Sequence, residues 1–117
     1  MHDPTTNEHA GYWRDVRRII DIAEVTPGLP IPSTSATRAV FDYRSITHAT
    51  DTAEAVATAE TILSYALHLT FVRREALAGD DTVRYILEAF TPSGLAVDIV
   101  ARAEHMAARP QFASVAA

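Results

Sequence analysis

The chain of 117 residues has no cysteine. Disulfides, cysteine-ligated metals and a thiol nucleophile are thereby excluded. Lysine is absent as well, and all ten basic residues are arginine. With the abundant alanine beside it, this bias points to GC-rich coding sequence rather than to selection for bidentate anion binding. Glycine is scarce: the four residues are scattered, and no glycine-rich phosphate loop exists. No apolar run approaches the roughly 20 residues that cross a bilayer. The first ten residues carry acid where a secretory signal would carry positive charge, so a cytoplasmic location without membrane contact is expected. The five histidines (His2, His9, His48, His68, His105) have no i, i+4 pair, and no His-Glu-x-x-His occurs. No metal and no cofactor are expected. The serines lack a nucleophile-elbow context.

Hydrophobic residues make up 48% of the chain, enough for one modest core in a single domain. Fifteen acids against ten bases give a formal charge of −5, which makes nucleic acid an unfavoured partner. Residues 1–10 read as a disordered polar tail, 11–108 as one α+β domain, and 109–117 as a flexible tail.

Within the domain, Tyr12 to Val25 is amphipathic, with Trp13, Val16, Ile20 and Ala23 on one helical face. Trp13 is read first as a core anchor and second as an interface anchor. Pro27, Pro30 and Pro32 end the helix and impose an extended connector, from which Leu29 and Ile31 press on the core. Arg38 to Ser45 alternates as a half-buried strand, with Ala39, Phe41 and Tyr43 inward. Asp51 and Glu54 have capping-box spacing ahead of an alanine-rich helix with a stripe of Ala53, Val56, Ala59, Leu63 and Ala66. A second strand is expected over His68 to Ala76. The clearest signal is a hairpin: β-formers from Thr82 to Phe90, a turn at Thr91-Pro-Ser-Gly94, and a return from Leu95 to Arg102. The sum is a four-stranded, mostly antiparallel sheet with two helices on one face, in the order α-β-α-β-β-β. Phe41, Leu63, Val97 and Ile99 are expected in its core.

The connector Pro27-Gly-Leu-Pro-Ile-Pro32 and the meander end Gly94-Leu-Ala-Val-Asp-Ile-Val100 resemble a diffuse set of small uncharacterised proteins from GC-rich bacteria and their phages. The resemblance spans residues 12–105. It implies the helix, connector, strand, helix and meander just described and a mobile-element origin, and it carries no activity to transfer.

With both helices on one face, the other face of the sheet is left bare. Alternation places Val40, Val72, Ile86, Phe90 and Val100 there, beside Arg38, Arg74 and Arg84. That mixture suits an interface core. The leading expectation is a small non-enzymatic protein-binding module, with Trp13, Val72, Arg74, Arg84, Ile86 and Val100 as interface residues. Its partner is a second copy of the chain or a host protein, as for a phage-borne inhibitor or accessory factor. Val72, Ile86 and Val100 are expected close together and open to solvent. The alternatives are a small-molecule enzyme or sensor with a pocket between sheet and helices and, more weakly, nucleic-acid binding through Arg14, Arg17 and Arg18. An acid-base site joining His68 and His105 with Asp98 or Glu88 is conceivable, but exposed histidines at element ends are the ordinary explanation.

Overall fold

A computed structural model describes residues 4–35, 37–77 and 83–106. Its elements are α1 (Pro4–Val25), β1 (Ser33–Thr34), β2 (Arg38–Asp42), α2 (Ala49–Leu67), β3 (Val72–Leu77), β4 (Val83–Phe90), β5 (Ala96–Arg102) and α3 (Ala103–Met106). The fold is α+β, with the expected helix, strand, helix and three-strand meander. One strand is added: Ser33 and Thr34, just beyond Pro32, pair antiparallel with Val40 and Ala39 at the sheet edge, where the proline-rich connector is tolerated.

The sheet order is β1-β2-β5-β4-β3. β3, β4 and β5 form the antiparallel meander, and β2, entering through the α2 crossover, lies parallel to β5 with Phe41 opposite Ile99. The hairpin turn closes as its residues dictate. The Gly94 N–H donates to the Thr91 carbonyl at 2.8 Å, and Gly94 takes φ 91°, a conformation open to glycine. Thr91 Oγ1 also accepts from the Leu95 N–H.

One hydrophobic cluster joins both long helices to the inner sheet face. It includes Val16, Ile19 and Ala23 of α1, Val56, Ala59 and Leu63 of α2, and Phe41, Leu87, Val97 and Ile99 of the strands. Phe41, Leu63, Val97 and Ile99 are fully buried, as expected. Leu29 also reaches the core, but Ile31 is exposed.

Four local expectations are corrected. First, α1 begins at Pro4, inside the segment 1–10 read as a disordered tail; proline's fixed φ suits a first helical position. Second, the buried face of α1 runs through Val16, Ile19 and Ala23, with Tyr12 packed beside it, so Trp13 turns outward and is 52% exposed. Third, α2 begins at Ala49 with His48 as N-cap, placing Asp51 in the first turn rather than at the cap. Asp51 still favours the helix there, through the positive end of its dipole. The buried stripe is Thr52, Val56, Ala59, Leu63 and Leu67, not Ala53 and Ala66. Thr52 is buried because its hydroxyl donates to the His48 carbonyl at 3.1 Å and meets His105 Nδ1 at 2.8 Å. Fourth, His68 ends the helix instead of opening a strand. It holds the left-handed cap at φ 54°, and β3 starts at Val72. The C-terminal tail 109–117 lies outside the described residues.

Candidate interaction surface

The outer face of the sheet, opposite α1 and α2, is built in cross-strand rows. The strand registers place Arg38, Ala96 and Phe90 in one row. Val40, Asp98, Glu88 and Val72 form the next, and Asp42, Val100, Ile86 and Arg74 the third. Arg102 and Arg84 follow, opposite each other. Val72, Ile86 and Val100 therefore share a face, but they do not form one exposed apolar cluster. Ile86 and Val100 are direct partners and only 5% and 6% exposed, whereas Val72 stands opposite Glu88 and is 64% exposed. The open apolar groups of this face are Val72 and, at 60%, Phe90. The expectation that Ile86 faces solvent is thereby corrected: a charge at that position would enter a nearly buried site.

Asp98 lies at the centre of the face and is buried. Its register partner on β4 is Glu88, so two carboxylates stand directly opposite, an arrangement that by itself destabilises a sheet. Arg38 resolves it. One guanidinium nitrogen donates to Asp98 Oδ2 at 2.6 Å and to Glu88 Oε2 at 3.1 Å. The hydrogen bond to Glu88, more than that to Asp98, raises the Arg38 pKa further, against the opposing effect of burial. The triad ties β2, β5 and β4 together across the outer face. At the end of β2, Arg44 grips Asp42 with two nitrogens at 2.9 and 2.6 Å. This side-chain hydrogen bonding, against partial desolvation, holds the Asp42 carboxyl below the usual carboxylate range, and the Arg84 charge adds to it.

No family model matches the chain, and neither do any of the curated proteins or solved structures. The reading of function therefore rests on the surface itself.

Of the six residues expected at an interface, the sheet brings Val72, Arg74, Arg84, Ile86 and Val100 to one face by register. The Arg74 side chain lies outside the described part of the structure. Trp13 belongs to α1, on the other side of the sheet, and does not join them. Arg38, Glu88, Asp98 and Phe90 were absent from that set. The outward parity of Asp98 within an otherwise apolar strand was the signal for a buried polar centre. Arg73 goes to the inner side, its guanidinium 4.7 Å from the centre of the Tyr85 ring.

The competing sites are separated by the fold. His105 is buried against Thr52 in the first turn of α2, while His68 caps its far end, 16 residues on and about 24 Å away along a helix. Asp98 and Glu88 lie on the opposite sheet face. Among the described residues, no three histidine or acidic side chains gather as metal ligands. A surface depression of about 270 Å³ is lined by Ala57, Thr58, Thr61 and Ile62, all from α2 and none titratable. It does not lie between sheet and helices. On α1, Arg17 pairs with Asp21 at 3.7 Å and Arg18 donates to the Ala66 carbonyl. No described helix is long and apolar enough to cross a membrane.

Proposed function

We propose that the chain is a non-enzymatic protein-binding module that docks through the outer face of its sheet, with a second copy of itself as occupant. The observation that carries this reading is the pairing of exposed Val72 and Phe90 with a fixed ionic centre, Arg38–Glu88–Asp98, on the face that neither long helix covers. Large apolar groups around a charged centre that links three strands give a surface both adhesive and specific in orientation. A two-fold axis through the face sets the same apolar residues against each other, so one patch supplies both halves of the contact.

Light scattering and sedimentation of the full chain test this. A dimer is expected that Phe90→Glu and Val72→Glu convert to monomer, with melting temperatures close to the parent because both positions are open to solvent. A parent chain that stays monomeric at high concentration overturns the reading.

A further inference from the structure

Three arginines converge at one end of the outer face. Arg84 on β4 and Arg102 on β5 are register partners, so their side chains leave the same face from adjacent positions. Arg44, just beyond β2, is at the same end: its backbone carbonyl accepts from Arg102 Nε at 2.9 Å. Their neutralisation is uneven. Arg44 is bound to Asp42. Arg102 approaches Glu104 only to 4.0 Å, between two well-exposed side chains, a contact of little strength. Arg84 is partly buried and its Nε is shut off from solvent with no hydrogen-bond partner. Its charge is felt by Asp42, but that carboxylate is already held by Arg44.

A shielded guanidinium donor without an acceptor is costly, and a second guanidinium directly opposite adds repulsion. A neutral residue at position 84 would avoid both costs. Two arginines leaving one face from paired positions can instead each offer N–H donors to a single oxyanion. We propose that Arg84 and Arg102 form a clamp for an oxyanion, a carboxylate or phosphate group seated over β4 and β5, with the Arg44 carbonyl fixing the Arg102 fork. The clamp does not depend on self-association, because a free anion satisfies it as well as a carboxylate side chain of a docked chain.

The test follows the arginine Nε–Hε signals of the full ¹⁵N-labelled chain, titrated with inorganic phosphate or acetate at ionic strength held constant with chloride. The Arg84 signal is assigned by its loss in Arg84→Lys. The expected result is a saturable shift of that signal. It is accompanied by a rise in melting temperature with phosphate, which Arg84→Met abolishes without lowering the melting temperature in chloride. Saturation by phosphate alone assigns a phosphate group, and saturation by both anions a general oxyanion site. A shift that follows protein concentration instead assigns a carboxylate of a second copy. An Arg84 signal that responds no more to phosphate and acetate than to chloride, and not to protein concentration, overturns the clamp. So does an Arg84→Met chain that keeps the parent's phosphate-dependent rise. If Arg84→Met does not fold, the titration of the parent alone decides.

Discussion

Tyr43→Phe removes one oxygen from the core just beyond the end of β2. Tyr43 is buried within the core cluster, and its hydroxyl is shielded from solvent with no hydrogen-bond partner. Its backbone bonds, from its N–H to the Val100 carbonyl and from the Ile46 N–H to its own carbonyl, survive the change. The ring stays buried, so the hydrophobic contribution is retained. What disappears is an unsatisfied polar group, whose burial costs about 1–3 kcal/mol. The variant is therefore expected to be more stable than the parent at neutral pH by about 1–2 kcal/mol, or about 4 °C in melting temperature for each kcal/mol.

The same burial pushes the Tyr43 phenol up to about 12, against about 10 in an unfolded chain. The folded state thus holds this proton more tightly than the unfolded state. The associated stability is fully present below about pH 10 and is lost as pH rises toward 12. A difference of about two units is worth on the order of 3 kcal/mol at the upper end of that window. Phenylalanine has no proton to lose, so the advantage of the variant should widen between pH 10 and 12. Denaturant melts at stepped pH measure the gap, and phenolate absorbance shows one of the four tyrosines titrating late in the parent. Two results would refute the reasoning: a variant at least 1 kcal/mol less stable than the parent at pH 7, or four tyrosines ionising together near pH 10 in the folded chain. Either would mean that the hydroxyl has a partner.

Phe41→Ala opens a cavity at a fully buried position between sheet and helices and should lower stability by about 3–5 kcal/mol in a denaturant melt; a melt within a degree of the parent would show that β2 faces the other way. Arg38→Met leaves Glu88 and Asp98 opposed without their shared cation. Because Arg38 is itself partly solvated, the expected cost is about 2 kcal/mol, below the range for a fully buried pair. Adding Asp98→Asn, or lowering the pH until the carboxylates protonate, should recover much of that loss; an Arg38→Met deficit indifferent to both would show that the triad is not coupled.

The parts of the fold that were legible depend on neighbours in sequence. β4 and β5 announce themselves because β-forming residues flank a turn whose Gly94 takes the left-handed conformation that glycine permits. Phe41, Val97 and Ile99 follow from strand alternation, and Leu63 from the apolar stripe of α2. The boundaries of α2 were less legible for a local reason. His68, which carries a Cβ, takes the left-handed cap usually left to glycine, so no glycine marks the stop. At the other end, Thr52 was passed over for the stripe because its polarity is cancelled only by contacts to His48 and His105, the latter 53 residues away.

The candidate surface shows where local pattern runs out. Alternation puts Arg38, Glu88 and Asp98 on one face, but nothing in three separate segments says that they touch. Contact requires β5 to lie between β2 and β4, with β2 parallel to it; only then can Arg38, opposite Ala96, reach diagonally to Asp98 and on to Glu88. The same arrangement brings Arg44 beside Arg102 and Arg102 opposite Arg84. The central residues Ile86 and Val100 are thereby nearly buried, and the accessible contacts move outward, to Val72 and Phe90 as apolar groups and to Arg84 and Arg102 as charge. A partner that uses this face must therefore engage its periphery, and substitutions there separate binding from folding where substitutions at its centre cannot.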